Sequence, residues 1–159
     1  DDGDLDIWAV AMDGSYETRP YLETSYSESF PQFSPDGNWV AYISDVAGEQ
    51  AIYLRPFPGG GTAVRASAEA HLVAPRWSPD GRTLYYAADD AIYAVAIDTT
   101  NDLEVGDPQV VVALDPRWFG SYSLHPDGTK FHVNRADPEV TRQNEIRLEF
   151  DWRRRLKGL

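Results

Sequence analysis

The residues that could perform catalysis or bind a metal are few in this sequence, and they lack the spacing that such sites need. His71, His125 and His132 are scattered and do not form the His-Glu-x-x-His pattern that holds zinc on a helix. No Gly-x-Ser-x-Gly segment is present to expose a serine nucleophile at a strand-to-helix turn. The glycines at 59–61 lead into Thr62 without the lysine of a phosphate-binding loop. We therefore expect no catalytic residues, no enzymatic activity and no cofactor.

Alternating carboxylates near the start of the chain are the strongest remaining candidates for a metal site. Asp2, Asp4 and Asp6 could supply the hard oxygen ligands that calcium prefers. An EF-hand loop beginning at Asp2 would need glycine at its sixth position and glutamate at its twelfth, where the sequence has Ile7 and Asp13. We expect a solvated segment at this place and no metal site.

Charge and hydropathy exclude several classes of partner. The 26 acidic and 14 basic residues give a net charge of −12, which repels nucleic acid. The basic residues at 153–157 form a short run, for which a solvated tail is favoured over a phosphate site. The longest aliphatic run, 110–114, is much shorter than the roughly 20 residues of a membrane span. We therefore expect no membrane insertion by residues 1–159.

One five-residue motif recurs three times at nearly constant spacing. It begins at Phe33, Trp77 and Leu124, at offsets of 44 and 47 residues, which indicates a repeat architecture. Proline presets φ, aspartate bonds to local backbone and glycine accepts positive φ, so each copy predicts a hairpin turn. His125 replaces the serine of the other two copies, which puts the local hydrogen bond of that turn in question. The three turns are Pro35-Asp36-Gly37, Pro79-Asp80-Gly81 and Pro126-Asp127-Gly128.

Short β-strand patterns surround each turn. Almost no helical periodicity is present, and four strands per repeat predict an all-β fold, a β-propeller of four-stranded antiparallel blades. Phe33 and Trp77 are expected to pack neighbouring blades face to face. Second strands are predicted at 39–43, 84–86 and 131–133, third strands at 6–10, 51–54, 91–95 and 145–150, and fourth strands at 18–23, 62–66 and 109–114. About three blades are present, in a single propeller fragment made of a half blade at 1–25, blades at 26–67 and 68–114, and a last blade with a tail at 115–159.

The Phe/Trp-Ser-Pro-Asp-Gly turn and the aromatic strand after it resemble the WD-like repeats of TolB-like six-bladed propellers, over nearly the whole chain. Residues 53–59 and 148–156 look like the last blades of bacterial propellers, including those fused behind receptor-type serine/threonine kinases. The resemblance implies the C-terminal part of a bacterial propeller in a periplasmic or other extracytoplasmic location. It does not imply kinase activity, because the kinase motifs are missing from the sequence.

Two functions fit this architecture. The first is a non-catalytic interaction or sensor module that binds a protein or a small ligand. The alternative is the substrate-filtering propeller portion of a prolyl-peptidase-like hydrolase. A catalytic domain with Gly-x-Ser-x-Gly elsewhere in the full gene would favour the alternative, and a transmembrane segment with an upstream kinase would favour the first.

Binding is expected on the loops of one rim and on the inner strands. Arg117 and Trp118 are candidate partner-binding residues, because arginine and tryptophan are frequent interface anchors. Trp118 could instead wedge between blades while Arg117 pairs with a carboxylate. Gln32, Arg76 and Ser123 occupy the same place in three inner strands and should point in one direction. The rim loops are 24–29, 67–73 and 115–119, with 44–50 and 135–144 on the same face.

The strand count predicts unpaired edges. Two strands precede the first hairpin, four belong to each full blade and three to the last, whereas closed propellers have about four to eight complete blades. Free strand edges are templates for pairing with another chain. A protein partner is therefore expected, with a twofold homodimer that completes the ring as one possibility. Two copies would bring twenty-six strands, close to the twenty-four of six blades.

Overall fold

The described part of the chain is built from β-strands and turns. The computed structural model describes residues 4–67, 72–88, 91–114 and 118–135. In those ranges no helix is long and apolar enough to cross a bilayer. The predicted strand at 145–150, the basic run at 153–157 and Arg117 lie outside the described residues.

Within those ranges thirteen strands form four antiparallel sheets, which we call blades 1 to 4 in chain order. Blade 1 contains β1 (Ile7–Val10) and β2 (Thr18–Leu22). Blade 2 contains β3 (Glu28–Phe33), β4 (Trp39–Ser44), β5 (Ala51–Pro56) and β6 (Val64–Arg65). Blade 3 contains β7 (Leu72–Trp77), β8 (Thr83–Ala88), β9 (Ala91–Asp98), β10 (Glu104–Val105) and β11 (Gln109–Ala113). Blade 4 contains β12 (Trp118–Leu124) and β13 (Phe131–Arg135).

The predicted all-β class and the predicted strands that lie in the described ranges are confirmed. Consecutive strands of a blade pair in an antiparallel meander, except that in blade 3 both β10 and β11 pair with β9. The sequence did not indicate β10, which extends blade 3 by pairing with the far end of β9 beside β11.

The three Pro-Asp-Gly turns have the predicted backbone conformation. Gly37, Gly81 and Gly128 have φ of 73°, 71° and 74°, the left-handed region that a Cβ opposes. In the first two turns the serine hydroxyl donates to the aspartate carboxylate. In the third turn the Nδ1 atom of His125 lies 2.8 Å from Oδ1 of Asp127, so histidine takes the place of serine without loss of the turn.

Successive turns also nest against one another. A Cβ built on Gly81 would lie 3.5 Å from Cδ of Pro35, and one built on Gly128 would lie 3.0 Å from Cδ of Pro79. A Cβ on Gly37 would meet nothing within 4 Å. The glycine of each later turn therefore packs on the proline of the turn before it.

The inner strands carry equivalent β-bulges. In β3 the pairs Ser29–Ile43 and Gln32–Ala41 leave two residues opposite one, and β7 shows the same shift between Val73 and Arg76. Proline occupies the second bulged position in both strands, where the missing N–H removes no ladder hydrogen bond. A bulge re-aims the side chains that follow it, and in both strands these are the predicted site residues.

Among the described residues the core consists of three apolar clusters, one between each pair of successive blades. Trp77 packs on the cluster between blades 2 and 3, as expected. The same expectation is wrong for Phe33, which is 56% exposed and meets Phe57 of its own blade edge to face at 4.8 Å. The reason is that blade 2 covers Trp77, whereas blade 1 has no inner strands among the described residues to cover Phe33.

Blade 1 also leaves one of its faces uncovered in the described structure. The segments 7–13 and 92–98 are near copies, Ile-Trp-Ala-Val-Ala-Met-Asp and Ile-Tyr-Ala-Val-Ala-Ile-Asp. In blade 3, Val95 is 0% exposed and Ile97 4% exposed, because blade 2 packs on that face. Their equivalents Val10 and Met12 are 52% and 83% exposed. The face of blade 1 that carries them has the composition of a blade interface without a neighbour.

Candidate functional site

Blades 2, 3 and 4 together form a small pocket where their inner strands reach the Pro-Asp-Gly turns. Its volume is about 270 Å³. Gln32 and Arg76, which the sequence placed at equivalent positions, both line it. We call it the inner-strand pocket. Its lining is completed by Phe33, Pro35, Trp77, Ser78, Pro79, Leu124, His125 and Pro126.

Gln32 and Arg76 are held in the same way by their own strands. Nε2 of Gln32 donates to the carbonyl of Pro31 at 2.9 Å, and an Nη1 proton of Arg76 donates to the carbonyl of Pro75 at 2.9 Å. Each side chain therefore bonds to the carbonyl of the bulge proline before it. Nε1 of Trp77 donates to the carbonyl of Gln32 at 3.2 Å and ties the two strands together.

Tyr122 anchors blade 4 beside Arg76. It is 6% exposed, and its hydroxyl lies 3.0 Å from the carbonyl oxygens of Ala74 and Tyr85 in blade 3. Burial raises the pKa of this phenol, and the nearby Arg76 opposes that shift in part. The guanidinium carbon of Arg76 lies 5.8 Å from the centre of the Tyr122 ring, a cation–π contact. Arg76 is thus fixed by a ring on one side and a carbonyl on the other.

The charge of the inner-strand pocket is opposite to that of the chain. Its lining contains an arginine and no carboxylate, although the protein has a net charge of −12. Among the described residues, no carboxylate lies within salt-bridge distance of Arg76. An arginine held in place without an acidic partner leaves its remaining N–H donors available to a ligand.

Ser123 does not share this pocket. It occupies the same position of the repeat as Gln32 and Arg76, but its side chain is exposed and does not line the pocket. Trp118 begins strand β12, and its side chain is outside the described residues. Arg117 also lies outside them. The proposed role of these two residues as a partner-binding pair remains a prediction.

A larger groove, which no sequence motif indicated, lies between the turns of blades 2 and 3. Its volume is about 730 Å³, and its walls include Trp39, Trp77 and Arg82. The carboxylates on its rim are those of the turns and of β9, and hydrogen bonds from serine or threonine hydroxyls lower their pKa values. They are Asp36, Asp80 and Asp98. The groove is therefore acidic, in contrast with the inner-strand pocket beside it.

A buried carboxyl lies at the opposite end of the inner strand of blade 2. Glu28 is 3% exposed, and its Oε1 accepts from the hydroxyls of Thr24 at 2.8 Å and Ser44 at 3.4 Å. Its Oε2 has no partner in the described structure. Burial raises the pKa of Glu28, and the charges of Asp6 and Asp45 add to the effect. The described residues contain no group of acidic and histidine side chains that could hold a metal ion.

No protein-family profile matches the chain. Curated bacterial proteins do match it, including the following two. The uncharacterized peptidase YuxL of Bacillus subtilis is 34% identical over 65 residues, which covers 37% of this chain and 10% of that protein. An uncharacterized protein of Agrobacterium fabrum is 28% identical over 95 residues, which covers 53% of this chain and 32% of that protein. The chain therefore spans less than a third of either relative.

Solved structures match the fold over most of the chain. The oligogalacturonate lyase of Vibrio parahaemolyticus superposes with a TM-score of 0.56 at 21% identity, covering 80% of this chain and 35% of that one. A protein of Agrobacterium tumefaciens assigned as TolB also gives a TM-score of 0.56, at 19% identity, covering 83% of this chain and 50% of that one. The chain has the fold of TolB-like β-propellers. A protein of Bacteroides uniformis assigned as a 6-phosphogluconolactonase gives a TM-score of 0.50 at 20% identity, covering 79% and 39%.

The comparisons contradict the expectation that the protein is not an enzyme. The relatives and neighbours of this TolB-like propeller include a peptidase, a lyase and a protein assigned as a lactonase. The lack of contiguous catalytic motifs in residues 1–159 does not exclude an enzyme, because one fold can carry sites of many different kinds. Residues from three blades line the inner-strand pocket, a combination that no contiguous motif reveals.

Proposed function

We propose that this chain is the substrate-binding propeller portion of a peptidase-type hydrolase, in which the blades admit and hold peptide substrates. The observation that carries the proposal is the inner-strand pocket, where blades 2 and 3 bring Gln32 and Arg76 to one place and blade 4 completes the lining. The 34% identity with a peptidase supports the reaction class. In this proposal the catalytic nucleophile lies outside residues 1–159.

The physical role of the propeller in this proposal is selection by size. In this proposal peptides reach the pocket in extended form, because the pocket is too small for a folded domain. The volume of the pocket, about 270 Å³, is slightly smaller than the volume of roughly 300–1,000 Å³ that is typical of sites enclosing a whole small ligand. It therefore suits one end of a peptide.

The test is peptide hydrolysis by the full-length gene product. Fluorogenic blocked peptides of four to ten residues are compared with the same sequences inserted in a surface loop of a stable folded protein. We expect cleavage of the free peptides and at least a tenfold lower kcat/KM for the inserted sequences. The proposal is wrong if the folded full-length protein cleaves none of the peptides, or cleaves both forms equally well.

A further inference from the structure

We propose that the inner-strand pocket binds a carboxylate attached to an apolar group, namely the C-terminal carboxylate of a peptide whose last residue is apolar. This inference rests on the proposed function for the identity of the ligand as a peptide. The nature of the binding group follows from the pocket itself.

The first argument is the supply of donors. A guanidinium carries five N–H groups, and in the described structure Arg76 uses one Nη1 proton on the carbonyl of Pro75. Gln32 uses one Nε2 proton on the carbonyl of Pro31 and keeps a second. A carboxylate, which only accepts hydrogen bonds, satisfies such a set, and a guanidinium can bind it through two parallel bonds.

The second argument is the distribution of charge. The acidic groove between blades 2 and 3 shares Trp77 and Pro35 with the pocket but has Asp36, Asp80 and Asp98 on its rim. The pocket has no acidic lining residue and contains Arg76. In a protein with 26 acidic residues, this separation places the attraction for an anion in the pocket and directs cations to the groove.

The third argument is the apolar wall. Phe33 is 56% exposed, and it lines the pocket together with Trp77, Leu124 and prolines of the three turns. An exposed aromatic ring beside a fixed arginine suits a ligand with an apolar side chain next to its charged group. The same wall makes an isolated inorganic anion a poorer ligand, because it would leave this apolar surface in water.

Arg76 is also held in place before a ligand arrives. Its guanidinium lies over the Tyr122 ring, and the Tyr122 hydroxyl is fixed by two carbonyls of blade 3. Little side-chain freedom is therefore lost on binding, and preorganisation of this kind increases affinity.

The experiment measures binding to this chain by NMR titration with N-acetyl-phenylalanine and with its neutral amide. We expect the acid to bind about tenfold to a hundredfold more tightly than the amide, because hydrogen bonds to a charged group are stronger than neutral ones. Arg76→Met should abolish the difference, and Arg76→Lys should retain part of it. Arg82→Met is the matched control, since Arg82 lies in the same repeat but lines the acidic groove.

Equal affinity for acid and amide in the unsubstituted chain would overturn the inference, and that comparison does not depend on the folding of any variant. A preference that survives Arg76→Met in a folded protein, or that Arg82→Met removes as well, would also overturn it. Failure of the peptidase assay with a preserved preference for the acid would refute the proposed function and leave the carboxylate pocket standing. Peptide cleavage without any preference for the acid would refute the pocket alone.

Discussion

The nesting of the three turns gives a stability series that one substitution at each turn can test. Replacing each turn glycine by alanine adds the same methyl group to the same backbone conformation, since φ is 73°, 71° and 74° at Gly37, Gly81 and Gly128. The three sites differ in what the new Cβ meets. It meets nothing within 4 Å at Gly37, Cδ of Pro35 at 3.5 Å at Gly81, and Cδ of Pro79 at 3.0 Å at Gly128.

The expected magnitudes follow from these distances. A non-glycine residue in the left-handed region costs about 1–2 kcal/mol, and this is the whole cost expected for Gly37→Ala. At Gly81 the contact of 3.5 Å is an ordinary van der Waals distance, so the cost should stay in that range. At Gly128 the contacts of 3.0 and 3.3 Å fall on a rigid proline ring, and such overpacking adds about 1–3 kcal/mol. We expect a total loss of about 2–5 kcal/mol there.

Urea unfolding followed by circular dichroism gives the free energy of unfolding of each variant. The variants are compared with one shared slope of that free energy against urea concentration. A double-mutant cycle separates the contact from the backbone strain, because Pro79→Ala removes the ring and should eliminate only the excess cost of Gly128→Ala. If Gly128→Ala destabilises no more than Gly37→Ala, the turns do not nest. If none of the three substitutions changes the urea midpoint, the turn assignment itself is wrong.

Three further predictions concern the blade contacts, the buried carboxyl and the free faces. Tyr122→Phe should lower the free energy of unfolding by about 1–3 kcal/mol, because the variant lacks the one hydroxyl proton that the carbonyls of Ala74 and Tyr85 share, while Tyr26→Phe at a site 42% exposed should have little effect; equal losses would remove the anchoring role of Tyr122. Glu28 has a pKa raised above the ordinary 4.5, so the folded state binds its proton more tightly than the unfolded state does, and stability should fall as pH rises from that value through the raised one. Glu28→Gln should remove this decline in urea unfolding at a series of pH values, and an unchanged pH profile in the variant would contradict the assignment. The uncovered face of blade 1 should be buried by a second copy of this chain in a twofold dimer. Light scattering at micromolar concentration should therefore give twice the chain mass of 17.8 kDa. A mass equal to that of the single chain would contradict the dimer.

Features that depend on neighbours in the sequence could be predicted without the structure. Proline, aspartate and glycine impose the turn through their own backbone preferences, and the recurrence of the motif fixes the period of the blades. The apolar stretches after each turn, rich in β-branched and aromatic residues, identified the strands, because such side chains favour the extended backbone of a sheet. The equivalence of Gln32 and Arg76 also followed from the repeat alone, and the two side chains make the same bond to a preceding proline carbonyl.

Only the tertiary structure decided what each equivalent position touches. Phe33 and Trp77 begin the same motif, yet one is exposed and the other is packed on the core, because blade 2 has a different neighbour from blade 3. The same difference leaves Val10 exposed while its copy Val95 is buried. Arg76 lies over Tyr122 and away from carboxylates through contacts between blades that no local pattern encodes. Repetition in the sequence determines the blades, whereas the order in which the blades stack determines burial, charge and the site.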